Sequence, residues 1–260
     1  MSCRPIYLNP SAAGERCDFS AVEGLKQFHR SLPHYFQSPL VSLPDLAAEI
    51  GVHAVLVKDE SHRFGLPSFK ILGASWGCYR AIASHFGLPA TVSLEELSAQ
   101  AQENSVSLTA ATEGNHGKAV AFMARLLRIK AQIFVPRDMD EGARSSLAEE
   151  GARVVVVQGD YDDAVREAWC AAQTTNNSLL VQDTAFEGYE KVPKWVEEGY
   201  ATMMSEVDEQ LRDMGLSGSL TIVPSRSRET DNSSNFADNH GRHELRNSIN
   251  HCLAWPATSG

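Results

Sequence analysis

From Leu108 onward, short apolar runs alternate with segments whose apolar residues recur at helical spacing, the pattern of a parallel sheet covered by helices. It predicts strands over residues 107–111, 131–135, 153–157 and 178–182. Between them it predicts helices over 117–128, with Val120, Met123, Ala124 and Leu127 on one face, over 140–150, and over 161–172. Asp140 caps the second of these and Gly151 closes it in a left-handed turn, while the β-branched run 153–157 reads as a buried strand. The fold class is α/β.

Upstream, 44–50 followed by Gly51 reads as a helix with its terminal glycine, and 54–58 as a strand. Pro67 and Ser68 open a helix over about 70–84, which places Lys70 in its first turn. The start of a helix carries partial positive charge, which favours a neutral, nucleophilic amine there. Residues 220–223 form one more short apolar strand candidate, and at Pro224 the pattern stops. Residues 225–260 hold six Ser, five Asn, four Arg and three His, which interrupt any apolar period, so they read as a disordered tail.

Composition narrows the function classes. With 43% hydrophobic residues the 260-residue chain can bury a sizeable core. A balance of 23 basic against 33 acidic side chains, net −10, argues against nucleic acid or an anionic membrane as partner. Five dispersed cysteines suggest neither a disulfide framework nor a zinc site, and no stretch has the apolar length of a membrane span. A cytoplasmic enzyme is the expectation, with no metal; His240, His243, His251 and Cys252 have no closed ligand spacing.

Three segments combine special backbone residues with polar groups. Lys70 sits in Pro-Ser-Phe-Lys-Ile-Leu-Gly, where it is either an imine-forming amine or a surface lysine. In Thr112-Glu113-Gly114-Asn115-His116-Gly117 the glycines let the backbone approach a planar ligand and Asn115 can bond a ring substituent; the plain reading is a strand-to-helix turn capped by Asn115, with His116 a helix-start residue. Asp183, in Gln182-Asp183-Thr184-Ala185-Phe186-Glu187-Gly188-Tyr189, stands where a strand ends and is either an acid or base or a helix cap.

The order and spacing of these segments resemble the tryptophan-synthase-β-like family of pyridoxal-phosphate enzymes, and within it the ammonia-lyases that act on diaminopropionate. The resemblance is carried by His34-Tyr35 with Ser38-Pro39-Leu40, by Val57 to Leu66, by Ser68-Phe69-Lys70 with Leu72-Gly73-Ala74, by Ala111 to Gly117, and by Gln182 to Ala201, and it spans residues 5–223. It implies a two-domain fold with mostly parallel sheets, a small mobile domain over 81–189, and part of a large domain over 1–80 and 190–224. It also implies pyridoxal 5'-phosphate as cofactor, Lys70 as the lysine that bears it and removes the α-proton, and Asn115 and Gly114 beside the cofactor. Glu113 and Asp183 are the implied catalytic carboxylates; the family has aspartate at the first position, and the extra methylene of Glu113 shifts that carboxylate by about 1.5 Å.

The implied reaction is α,β-elimination of 2,3-diaminopropionate to pyruvate and ammonia; a serine or threonine dehydratase is the enzymatic alternative. A family-like homodimer and a small amino-acid substrate are the implied partners. After Val223 the family has a glycine-rich phosphate loop, where this chain has Ser225-Arg226-Ser227-Arg228. A C-terminal part missing or replaced, and hence an inactive remnant, is the further alternative.

Overall fold

The fold is seen in a computed structural model that describes residues 22–217. The strand expected at 220–223 and the tail 225–260 lie outside the described residues. The chain runs through α1 (Leu25–Ser31), β1 (Leu40–Ser42), α2 (Pro44–Ile50), β2 (Leu56–Lys58), α3 (Lys70–His85), α4 (Leu94–Glu103) and β3 (Ser107–Ala111). It continues through α5 (Asn115–Leu126), β4 (Lys130–Pro136), α6 (Glu141–Glu149), β5 (Arg153–Val157), α7 (Tyr161–Thr174), β6 (Ser178–Leu180), α8 (Lys191–Gly199) and α9 (Ala201–Asp213).

Four strands form a parallel sheet in the order β5-β4-β3-β6. The chain moves outward from β3 through β4 to β5, then returns through α7 to place β6 on the far side of β3. That reversal is a switch point in strand order at the carboxyl ends of β3 and β6, the place where open α/β sheets take ligands. Central β3 is shut from solvent from Leu108 to Ala111, as a strand covered on both faces must be. The run 153–157 is a correction: β5 is the sheet edge, where Val157 alone is buried and Val156 is exposed.

Local chemistry sets the helix starts. Asp140 Oδ1 accepts from Ala143 N–H at 3.1 Å, and Asp160 and Asp163 form a reciprocal capping box that starts α7. At the other end Gly51 and Gly151 take positive φ, 71° and 90°, as the left-handed turns require.

The approach to α3 is a two-residue hairpin. Arg63 and Leu66 exchange both backbone hydrogen bonds at 2.9 Å, with Phe64 and Gly65 at φ 53° and 81° between them. The Arg63 guanidinium is fully buried and bonds Glu60, Ser38 Oγ, Phe36 O and both oxygens of Glu206 from α9. Helices α3 and α8 then meet at glycines: a Cβ on Gly199 would lie 2.4 Å from Leu72 O, and one on Gly73 would lie 2.6 Å from the Tyr200 ring. This close approach brings Tyr200 alongside the start of α3.

Candidate active site

Lys70 is the first residue of α3, its backbone N–H bonded to Ser68 Oγ at 3.2 Å. Asp183 follows β6 at the carboxyl edge of the sheet. The two meet: Lys70 Nζ donates to Asp183 Oδ2 at 2.6 Å across 113 positions of sequence. The lysine side chain remains 35% exposed and the aspartate 16%, so the pair is open to a small molecule.

The expectation of a neutral Lys70 amine is overturned. Burial alone would lower its pKa, but the electrostatic influence of Tyr200 and Asp183 and the hydrogen bond to Asp183 together raise it above the ordinary lysine value. The half charge at a helix start is weaker than a full carboxylate in contact. Asp183 answers in kind: burial would raise its carboxyl, whereas His116 and Lys70 hold it down at about 2. No helix begins directly after Asp183, so the capping reading of this residue does not apply.

The turn 112–117 brings the other sequence candidates to the same edge. Thr112 Oγ1 accepts from Gly114 N–H at 2.9 Å and Gly117 N–H at 3.0 Å, which folds the turn back on itself. Gly117 is required there, because a Cβ would lie 2.3 Å from Thr112 Cγ2. Gly114, not Asn115, is the N-cap of α5, and the space where its Cβ would stand is empty to 4 Å. Asn115 is the exposed first residue of α5, and Glu113 is exposed one residue before the cap, within electrostatic reach of Tyr161. His116 is buried, with Nε2 2.8 Å from Val181 O.

Two tyrosines belong to the site that sequence reasoning did not assign to it. Tyr161, the first residue of α7, accepts from Gln182 Nε2 at 2.7 Å and interacts with Asp183, Lys70 and Glu113. Gln182 Oε1 in turn accepts from Ala111 N–H at 3.0 Å, so one buried glutamine ties β3, the segment after β6 and α7 together beside Asp183. Tyr200 interacts with Lys70 and Asp183, and its hydroxyl is shut from solvent without a hydrogen-bond partner. Burial pushes both phenols up. The available signal for Tyr161 was position: a residue that follows a strand and a capping aspartate in an α/β sheet lies at the ligand edge.

These residues fit the aldehyde and ring of a planar cofactor. A primary amine lies within reach of a carboxylate, bare backbone is presented at Gly114, and two buried polar atoms, His116 Nδ1 and Tyr200 Oη, await partners. Among the described residues no cluster of His, Cys, Asp or Glu could hold a metal ion, and no helix is long and apolar enough to cross a membrane.

Residues 31–223 match the family model described as pyridoxal-phosphate dependent enzyme. The diaminopropionate ammonia-lyase of Escherichia coli K12 is 39% identical over 192 residues, covering 74% of this chain and 48% of that protein. Its Salmonella typhimurium counterpart is 36% identical over 190 residues, with coverages of 72% and 47%. The apo crystal structure of the E. coli enzyme superposes with a TM-score of 0.70 at 38% identity, covering 74% of this chain and 52% of that one. Its complex with D-serine gives a TM-score of 0.72 at 38% identity, covering 78% and 53%. The chain spans about half the length of the curated relatives it matches. On the match over residues 31–223 and the α/β architecture that carries it, this chain belongs to the pyridoxal-phosphate dependent enzymes.

Proposed function

We propose that the chain carries the catalytic half-site of an ammonia-lyase that converts 2,3-diaminopropionate to pyruvate and ammonia. The observation that supports this most is the Lys70–Asp183 ion pair at 2.6 Å. A carboxylate that already holds an ammonium at the carboxyl edge of the sheet is suited to hold the substrate's β-ammonium once Lys70 is otherwise engaged. A β-hydroxyl, as in serine or threonine, gains less from that charge, which favours the diamine over the dehydratase reading.

In this reading Lys70 would hold the cofactor, with Asn115 and Gly114 as further residues of its site. When bound, pyridoxal phosphate supplies an electron sink for the carbanion at the substrate α-carbon. Lys70 Nζ, as a free amine, would take the α-proton as general base. Asp183 would orient the β-amino group that leaves as ammonia, and Glu113, exposed just before the start of α5, offers a second carboxylate. Tyr200 and Tyr161, neutral because burial pushes them up, add hydrogen-bonding groups without charge. The same reading divides the chain into a small domain over 81–189 and a large-domain part over 1–80 and 190–224, with the site along their seam.

The test is covalent. Purified chain is mixed with pyridoxal phosphate, reduced with borohydride and digested, and the label is expected on Lys70. Equal labelling of Lys70→Ala would refute the assignment. Unreduced protein with fresh cofactor is then offered diaminopropionate, serine and threonine, and the borohydride-reduced protein serves as the blank. Faster loss of serine than of diaminopropionate defeats the substrate assignment, and labelling without any turnover supports the inactive-remnant reading.

A further inference from the structure

The ring of His116 has one nitrogen committed and one aimed into the site. Nε2 lies 2.8 Å from Val181 O, and because a carbonyl only accepts, Nε2 bears the hydrogen. This fixes the ring plane and leaves Nδ1 shut from solvent, without a hydrogen-bond partner, 3.7 Å from Asp183 Oδ2. A bare Nδ1 would turn a lone pair towards a carboxylate oxygen in a largely water-free setting, which is repulsive. A protonated Nδ1 would face the same oxygen attractively.

The groups around Asp183 come from every packed element. Lys70 faces it from α3, Tyr161 from α7, Tyr189 from the loop before α8, Tyr200 from the α8–α9 junction, and His116 from α5, with Glu113 near Tyr161. Burial pushes all three phenols up. Lys70 is therefore the standing cation beside Asp183 among these groups, and His116 is the one that becomes cationic when Nδ1 takes a proton. Lys70 cannot fill that place throughout, because its nitrogen is the atom that engages the cofactor and later accepts the α-proton.

We propose that His116 is a positioning residue: protonated at Nδ1, it keeps Asp183 ionised and turned into the site while Lys70 is engaged elsewhere. The inference rests on the assignment of Lys70 and Asp183 above. It gives His116 a task that neither a helix-start residue nor a general base would have, since it acts on substrate only through the carboxylate.

The test uses the cofactor-free full chain, so it does not depend on turnover. In protein labelled with nitrogen-15 histidine, the Nδ1 signal of His116 is expected to move when Asp183→Asn removes the facing carboxylate; an unmoved signal overturns the proposal. With carbon-13 aspartate labelling, Asp183 is followed as an acid titration in Lys70→Met, where His116 is the remaining cation. Its midpoint is expected to stay below that of an ordinary aspartate, and to rise by more than about one pH unit when His116→Gln is added. An unchanged midpoint overturns the proposal.

Gln and Asn at position 116 separate positioning from simple packing. Gln places its amide at the Nε2 level and keeps Val181 but abandons Asp183, whereas Asn does the reverse. Positioning predicts that Asn is the milder change at Asp183; packing alone predicts that Gln is, and thermal unfolding of both variants records the packing separately. Failure of borohydride labelling at Lys70 would sink the functional reading while leaving these spectra as they are.

Discussion

The four-stranded parallel sheet and the antiparallel pair β1–β2 are both sheets, yet they treat apolar residues in opposite ways. In β3 the residues from Leu108 to Ala111 are buried. In the pair, Val41 and Val57 sit opposite each other and are 40% and 45% exposed. Of the eight large hydrophobic side chains exposed among the described residues, six lie between 36 and 57: Phe36, Val41, Leu46, Ile50, Val52 and Val57. The parallel sheet closes on its own helices, whereas β1–α2–β2 is fastened to the molecule by polar contacts. Lys58 reaches Ser38 O, Gln210 Oε1 and Glu206, and Arg63 binds Glu206 and Ser38. One region is held by burial of apolar area, the other by a desolvated charge network that needs every partner.

The sharpest break of that contrast is Glu206→Gln. It leaves the buried Arg63 and the half-buried Lys58 without their shared carboxylate, and the expected loss is about 3–5 kcal/mol in urea unfolding. A loss below about 1 kcal/mol would mean the network does not fasten this region. Acid probes the same side of the molecule. His29, fully buried between Thr202 Oγ1 at 2.7 Å and Leu72 O at 3.0 Å, is pulled by burial from 6.5 down to about 3. Its folded pKa is lowered, so its contribution is complete above pH 6.5 and is lost as pH falls towards 3, at up to about 1.4 kcal/mol per pH unit. Glu206 has the same sign, since Arg63 and Lys58 overcome burial and hold it below the usual carboxylate range; it adds its loss at lower pH. His29→Gln should flatten the decline between pH 6 and 4, about the range in which a histidine but not these carboxylates titrates.

Between the regions lies the α3–α8 contact, and Gly73→Ala tests whether it sets the site. The added Cβ would meet both the Tyr200 ring and Val196 O at 2.6 Å, so the helices must part. About 1–3 kcal/mol of stability should be lost, and Lys70 should label more slowly with pyridoxal phosphate because Tyr200 moves with α8. Unchanged labelling at reduced stability would confine the glycine to packing.

What could be read from sequence follows the same division. The parallel sheet was legible because its strands and helices alternate locally: 107–111 is β3, and Asp140, Gly151 and the start of α7 fall where cap and turn chemistry put them. The edge position of β5 was not, since a β-branched run carries no record of strand order. At the site, Lys70 and Asp183 were found as separate candidates, but the charge of Lys70 was misjudged because helix-start electrostatics are visible in sequence and a carboxylate 113 residues away is not. Tyr161 escaped because its link to the site runs through Gln182, 21 residues further on.

On the closed side, Asp160→Ala removes one half of the capping box at the start of α7 and should cost about 1 kcal/mol by thermal unfolding. It should also loosen Tyr161, one residue on, without moving Lys70. The smallest effect belongs to the open side. Replacing Val41 and Val57 by Thr keeps β-branched residues in a two-stranded pair whose outer faces meet solvent, so stability should change by no more than about 0.5 kcal/mol. Association should change more. Exposed apolar side chains favour contact between copies, and the double variant should scatter less light at high concentration than wild type. A stability loss above about 1 kcal/mol would show instead that these valines are covered in solution, and the contrast between the two sheets would then lie in what covers them rather than in how they are built.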